Sequence, residues 1–210
     1  MRILLRRLPI LLIPLFIQLL YVPLNRFLHG GTMPVTPFDE LIPLWPIWGI
    51  PYILALPIWI GSFLWAGAKM PNDLFKAFVL AACSIMTFAM IVFLVFPTYV
   101  QRPVVIGQGF GANLIRFIYS NDDAYNALPS GHVYITTLIM LFWSRWLPRY
   151  RFVWILLWTA ILLSTLFTRQ HYLLDVAAGA ALAAIGYYIY MRTICPQEIP
   201  CFDPVRVRTS

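Results

Sequence analysis

The residues of this sequence that are best suited to chemistry lie in a short polar stretch near the C-terminal end. Arg169, His171 and Asp175 fall within seven residues, and long hydrophobic runs flank them on both sides. His171 and Asp175 are four residues apart, so on a helix they would share one face. An ionisable side chain inside a hydrophobic span costs roughly 2.5–3.5 kcal/mol, which makes this cluster a candidate functional site. The alternative is a helix-end cluster that contacts lipid headgroups.

Two further groups of residues have the chemistry of anion binding. Pro129-Ser130-Gly131-His132 opens a hydrophobic segment, where free backbone N–H groups, a hydroxyl and the positive end of a helix dipole form an anion cradle. Arg102 follows an earlier hydrophobic run, and its forked donors suit phosphate. Simpler interpretations exist for each residue: Arg102 as an interfacial anchor, His132 as a helix cap, and Arg169 with Asp175 as a structural ion pair.

The composition is that of a membrane protein. Of the 210 residues, 61% are hydrophobic and 11% are charged, against about 25% charged in a soluble domain, and the mean hydropathy is +0.78. The net charge is +7, but the basic residues form short clusters between hydrophobic runs, so we expect no nucleic-acid partner. The histidines and cysteines show no metal-ligand spacing, and we expect neither a metal nor a cofactor.

Six hydrophobic segments predict an all-α, polytopic bundle of six transmembrane helices. We assign residues 1–195 to a single membrane domain and residues 196–210 to a polar cytoplasmic tail. The connection over residues 97–129 is long enough to be functional, and its amphipathic stretch at residues 114–119 is suited to the membrane interface. The predicted spans are residues 8–24, 42–68 (with a helical core from Ile47 onward), 74–96, 130–147, 152–167 and 172–191.

The loop charges predict the orientation of these spans. Eleven of the fifteen Lys and Arg residues fall on one side of the six-span arrangement, and the positive-inside rule places that side, with both termini, in the cytoplasm. The long connection over residues 97–129, His132 and the His171 cluster then share the extracytoplasmic face. In a bacterium, this face of the inner membrane is the periplasmic one.

In their order and on one face, the three motifs resemble those of the type 2 phosphatidic acid phosphatase family, which shares a core with vanadium haloperoxidases. Arg102-Pro103 matches the end of the first family motif, Pro129-Ser130-Gly131-His132 matches the second, and His171-x-x-x-Asp175 matches the end of the third. The stretch Asp39-Glu40-Leu41-Ile42-Pro43 is similar to members related to the inositol phosphorylceramide synthases. The resemblance covers nearly the whole chain.

Two positions depart from the family pattern. Val95 stands where the family lysine would be, and Thr165 stands where the family arginine would be. Arg169 lies two residues before His171 instead. We interpret this compact arrangement as a trait of a phosphotransferase-like subgroup, with loss of activity as the competing explanation.

The resemblance implies metal-independent phosphoryl transfer through a phosphohistidine. His171 would be the nucleophile, Asp175 would hold its imidazole, and His132 would protonate the leaving oxygen. Asp122 and Asp123 look like a carboxylate pair, but adjacent loop positions more often cap a turn. The groups expected to bind phosphate are the side chains of Arg102 and Arg169, the Ser130 hydroxyl, the Gly131 N–H and, as a substitute for the missing cation, Arg116.

We therefore expect a lipid phosphate phosphatase at the extracytoplasmic face, with a lipid phosphate and the surrounding membrane lipids as its partners. Candidate substrates are phosphatidate, phosphatidylglycerol phosphate and undecaprenyl pyrophosphate. The alternatives are a lipid head-group phosphotransferase of the inositol phosphorylceramide synthase type and a non-catalytic lipid-binding membrane protein. Phosphatase and phosphotransferase would use the same residues and would differ in whether water or an alcohol resolves the phosphohistidine.

Overall fold

The computed structural model describes residues 2–195, which form eight α-helices and no β-strand. Two isolated β-bridges, between Thr32 and Thr98 and between Tyr99 and Tyr125, join loops on one end of the bundle. Short 3₁₀ turns cover Pro37–Leu41, Pro46–Trp48 and Pro148–Tyr150. The helices are α1 (Arg2–Leu19), α2 (Tyr21–Phe27), α3 (Gly49–Lys69), α4 (Asn72–Val95), α5 (Phe110–Asn121), α6 (Gly131–Trp146), α7 (Arg151–Phe167) and α8 (Leu173–Ile194).

Within this part of the chain, five helical segments are long and apolar enough to cross a membrane. They correspond to the first, second, third, fifth and sixth predicted spans. The fourth prediction, residues 130–147, coincides with α6, which has 16 residues and is shorter than the ~20 that cross a bilayer. The all-α class is thus confirmed, and the apolar helices indicate a polytopic membrane protein. The predicted tail at residues 196–210 lies outside the described residues.

The helix α6 lies at the centre of the bundle, in contact with α3, α4, α7 and α8. Most of its residues are buried, as are those on the inner face of α4. A Cβ atom on Gly179 of α8 would lie 2.8 Å from the Ser130 carbonyl oxygen, so glycine permits the close approach of these two helices. This approach brings the N-terminal ends of α6 and α8 together, and both carry predicted site residues.

The predicted long connection contains the helix α5, which includes the amphipathic stretch at residues 114–119. Ile115 and Ile118 form the buried face of α5 and pack against Tyr52 of α3. A Cβ atom on Gly49 would meet the Ile118 and Leu114 side chains at 2.8–3.0 Å, so the absence of a side chain there allows the contact. The helix α5 therefore covers the end of the bundle at which α6 and α8 begin.

Candidate active site

The turn after α7 determines the position of the His171 stretch. The Gln170 N–H donates to the Thr165 carbonyl at 3.1 Å, and the Arg169 N–H donates to the Leu166 carbonyl at 2.9 Å. These two bonds define a Schellman motif, whose left-handed position is usually glycine. Here that position is Arg169, with φ of 56°. The turn ends α7 sharply, and His171 follows it directly.

His171 and Asp175 are in contact, although not on one face of a helix. His171 precedes α8, and Asp175 lies in the first turn of α8 and is fully buried. The Oδ2 atom of Asp175 accepts a hydrogen bond from the Tyr172 N–H at 2.8 Å and lies 3.5 Å from His171 Nδ1. That distance is longer than an ordinary N–H···O bond. Because Nδ1 faces the carboxylate, Nε2 is the imidazole nitrogen that points away from it.

Ser130 caps α6 and connects it to α8. Its Oγ accepts from the Val133 N–H at 3.4 Å, and its own N–H donates to the Asp175 carbonyl at 3.0 Å. Gly131 and His132 then form the first turn of α6. The imidazole rings of His132 and His171 lie with their centroids 6.4 Å apart. The structure therefore brings the Pro-Ser-Gly-His and His-x-x-x-Asp motifs together at the N-terminal ends of α6 and α8.

Two aromatic residues of α3 enclose His132. The ring of Tyr52 stacks on the imidazole at a centroid distance of 4.0 Å, and Trp59 approaches it at 5.0 Å. The Tyr52 hydroxyl donates to one carboxylate oxygen of Asp122 at 2.6 Å, and the Tyr21 hydroxyl donates to the other at 2.8 Å. Sequence reasoning missed both tyrosines because aromatic residues in hydrophobic runs give no distinguishing pattern. Asp122, at the C-terminal end of α5, thus links α2, α3 and α5.

Arg102 is held on the same side of the bundle by α5 and the turn after α7. Its guanidinium lies over the Tyr119 ring at 4.6 Å from the centroid, and its Nη2 donates to Gln170 Oε1. The Tyr119 hydroxyl donates to the Thr168 carbonyl at 2.8 Å. Burial raises the pKa of Tyr119 to about 12, so the phenol keeps its proton and this bond even in alkaline solution.

The other two predicted cations have different surroundings. Arg169 donates through Nη1 to the carbonyls of Asp39 and Ile42, which fastens the segment before α3 to the turn after α7. Arg116 is exposed and donates to the carbonyls of Val105 and Gly107. Arg102 therefore lies next to the His171 stretch through Gln170, whereas the described hydrogen bonds of Arg116 are with the loop that precedes α5 and with Asn113 of α5 itself.

Some buried donors at this site have no hydrogen-bond partner among residues 2–195. They include the Nε of Arg102 and the Nε2 of Gln170. Buried polar groups are nearly always paired, and the oxygens of a phosphate group would satisfy donors of this kind. Gln170 and His171 also line a small polar pocket together with Tyr21 and Asp122. The same residues 2–195 contain no cluster of three or more His, Cys, Asp or Glu side chains arranged to hold a metal ion.

An apolar groove of about 180 Å³ runs between α1 and α3 beside this site. Leu12 of α1 and Leu56 of α3 line it and are exposed, so the groove opens on the outside of the bundle. Trp59 lines the groove as well, and the same residue contacts His132. Trp59 therefore separates the candidate site from a groove that opens on the outside of the bundle.

A family model described as the PAP2 superfamily matches residues 45–189, which is well over half of the chain. The matched region runs from the segment before α3 into α8 and contains Arg102, the Pro-Ser-Gly-His motif and the His171 stretch. Searches of curated proteins and of solved structures found no match.

Proposed function

Because the chain belongs to the PAP2 superfamily, we propose that it is an integral-membrane lipid phosphate phosphatase that acts through a phosphohistidine on His171. The superfamily supports a phosphatase-type activity, and the apolar helices support an enzyme embedded in a membrane. The observation that carries the proposal is the pairing of His132 and His171, with ring centroids 6.4 Å apart at the joined ends of α6 and α8. This spacing leaves room for a phosphoryl group between the two imidazoles.

In the first proposed step, Nε2 of His171 attacks phosphorus, because Nδ1 faces the Asp175 carboxylate. The new N–P bond forms as the bond from phosphorus to the leaving oxygen breaks. The protonated imidazole of His132 gives its proton to that oxygen. Asp175 holds the His171 imidazole in the tautomer with a proton on Nδ1 and stabilises the positive charge that develops on the ring.

In the second step, water attacks the phosphohistidine. His132, now neutral, takes a proton from the water as the new O–P bond forms and the N–P bond breaks. Inorganic phosphate leaves, and His171 returns to its neutral state with His132 protonated. The cycle therefore consumes only the lipid phosphate and water, and both histidines return to their starting protonation states. In phosphoryl transfer, the protein contributes mainly by positioning the reactants and stabilising charge.

The phosphate oxygens would be bound by Arg102, Arg169, the Ser130 hydroxyl and the Gly131 N–H. The Ser130 oxygen accepts from Val133, which leaves the hydroxyl proton available for a ligand. Arg169 donates to carbonyls through Nη1, and its other nitrogens are the donors we assign to phosphate. Arg116 would have to exchange its bonds with the Val105 and Gly107 carbonyls to join this set.

The lipid part of the proposal is supported by the groove between α1 and α3. All its lining residues but Gln18 are apolar, it would open towards the surrounding bilayer, and it shares Trp59 with the site of His132. An acyl or prenyl chain in this groove would bring its phosphate headgroup to the ends of α6 and α8. We further propose that α6 also crosses the membrane, as the fourth of six spans, that both termini are cytoplasmic and that the site faces the periplasm or exterior.

The proposal is tested with the purified protein in detergent and a panel of lipid phosphates, with release of inorganic phosphate as the readout. We expect phosphate release that EDTA does not change, and its near-complete loss in His171→Ala. His29→Ala is the matched control, because His29 is exposed and its described ring contact is with Tyr125, not with His132 or His171. A phosphorylated, acid-labile enzyme intermediate should accumulate in wild type and not in His171→Ala. No phosphate release from any lipid, or full activity in His171→Ala, would contradict the proposal.

A head-group phosphotransferase related to the inositol phosphorylceramide synthases is the second candidate. The pocket beside His171 is lined by Asp123, whose carboxylate oxygens could accept hydrogen bonds from the hydroxyls of an alcohol acceptor. The same assay distinguishes the two activities when polyols or diacylglycerol are added. Transfer predicts a phosphorylated acceptor and little free phosphate, whereas hydrolysis predicts free phosphate that the acceptor does not reduce. A non-catalytic lipid-binding protein predicts neither product.

A further inference from the structure

The chemistry of Arg102 fixes the orientation of the Gln170 side chain. Gln170 is 3% exposed, and one branch of its amide accepts a hydrogen bond from Nη2 of Arg102. A guanidinium only donates hydrogen bonds, so the branch that faces it must be the carbonyl oxygen. The other branch is therefore the NH₂ group. This Nε2 atom is buried and has no hydrogen-bond partner among the described residues.

The unpaired amide donor belongs to a residue that lines the same small pocket as His171. Asp122 also lines this pocket, but each of its carboxylate oxygens already accepts from a tyrosine hydroxyl, one from Tyr21 and one from Tyr52. The side chain next to the nucleophile thus presents a donor, and the Asp122 carboxylate is occupied by other donors. Asp123 also lines the pocket but accepts no hydrogen bond from Gln170. An oxyanion at His171 would supply the acceptor that Gln170 lacks.

Val95 and Thr165 stand where the family pattern has a lysine and an arginine, and neither brings a positive charge to this site. Val95 is 77% exposed, and the Thr165 hydroxyl donates to the Leu162 carbonyl. We propose that Gln170 is a phosphate-binding residue, which donates its side-chain N–H to a phosphoryl oxygen while its Oε1 holds Arg102 in place. This inference deepens the proposed function and rests on it for the identity of the anion.

A hydrogen bond to a charged group contributes enough that its loss weakens binding roughly 10- to 100-fold. The test measures the dissociation constant of orthovanadate and of inorganic phosphate, together with kcat and KM for a lipid phosphate. Gln170→Glu keeps the shape and the acceptor for Arg102 but removes the donor. Gln170→Met keeps the approximate shape and removes both groups.

We expect both variants to bind vanadate and phosphate more weakly, Gln170→Met by roughly 10-fold and Gln170→Glu by more, since its carboxylate also repels the anion. KM should rise with the dissociation constants. Gln101→Glu is the matched control, because it adds the same charge at the exposed residue next to Arg102 and should leave both constants within about 2-fold.

Two outcomes would overturn the inference. If Gln170 serves only to hold Arg102, Gln170→Glu keeps that contact and will bind vanadate more tightly than Gln170→Met does, which reverses the expected order of the two variants. If the wild-type protein binds neither vanadate nor phosphate, no oxyanion site exists there. Because binding is measured without turnover, a protein that binds vanadate through Gln170 but releases no phosphate would refute the phosphatase proposal alone.

Discussion

Tyr52 lies flat against His132, with ring centroids 4.0 Å apart and ring planes 24° apart. The hydroxyl of the same tyrosine is fixed by Asp122 at 2.6 Å. The proposed general acid therefore rests on a side chain that is itself anchored to the end of α5. This relationship assigns Tyr52 a positioning role, because it acts on the reaction only through His132.

The first prediction concerns that role. Tyr52→Phe keeps the stacked ring but releases it from Asp122, and we expect kcat on an alkyl phosphate to fall roughly 10-fold. Turnover of p-nitrophenyl phosphate should fall less, because its leaving group needs little protonation. Tyr21→Phe is the control, since it removes the other bond to Asp122 and packs on Phe93 instead of His132. Equal losses on both substrates would indicate a purely structural role for Tyr52.

The second prediction concerns the carboxylate behind the nucleophile. Asp175→Asn retains an oxygen for the Tyr172 N–H but offers His171 no negative charge, so we expect kcat to fall on the order of 10³–10⁴-fold with little change in KM. Asp73→Asn, an exposed carboxylate in the first turn of α4, is the matched control. Rapid-quench measurement of the phosphoenzyme should show that its formation is slowed. A variant with wild-type kcat would remove Asp175 from the mechanism.

The third prediction separates the backbone of Arg169 from its side chain. Both Arg169→Gly and Arg169→Ala lose the bonds to the Asp39 and Ile42 carbonyls, but only glycine adopts φ of 56° without strain. We expect the glycine variant to be more stable than the alanine variant by roughly 1 kcal/mol. Thermal unfolding in detergent measures the difference, and both variants should bind phosphate more weakly than wild type. Identical melting temperatures would show that the left-handed turn carries no strain.

The fourth prediction addresses the groove between α1 and α3. Leu56→Trp fills part of its volume of about 180 Å³ and should raise KM several-fold for a long-chain lipid phosphate. A short-chain analogue and p-nitrophenyl phosphate should be affected little, because neither extends into the groove. Leu80→Trp, on the exposed face of α4 and outside the groove, is the control. An equal rise in KM for all three substrates would exclude the groove as the chain-binding site.

The two histidine motifs were predictable because their residues are close in sequence and their chemistry is distinctive. The spacing of His171 and Asp175 predicted a contact, although the reason differs: the carboxylate bends back from the first turn of α8 instead of sharing a helical face with His171. The cap formed by Ser130 followed from the preference of serine for that position. The hydrophobic runs likewise predicted the apolar helices, because their length and composition are local properties.

The supporting residues were not predictable because their roles depend on contacts between distant parts of the chain. Tyr52 and Asp122 are 70 residues apart, and Arg102 and Gln170 are 68 apart. Arg169 is the residue for which the sequence-based prediction and the structure differ most. Its sequence position suggested a phosphate ligand or a partner for Asp175, whereas its described bonds are with the Asp39 and Ile42 carbonyls. No periodicity or motif encodes such partners.

The bond from the Ser130 N–H to the Asp175 carbonyl has a consequence for how such a protein can evolve. Main-chain atoms make it, so side-chain substitutions at either position leave both bonding groups in the chain. The residues between the two motifs are free to diverge as long as α7 still places the His171 stretch next to Ser130. An insertion or deletion between His171 and Asp175, or between Ser130 and His132, would instead shift one histidine relative to the other. We therefore expect amino-acid substitutions between the two motifs to be tolerated more readily than insertions or deletions within them.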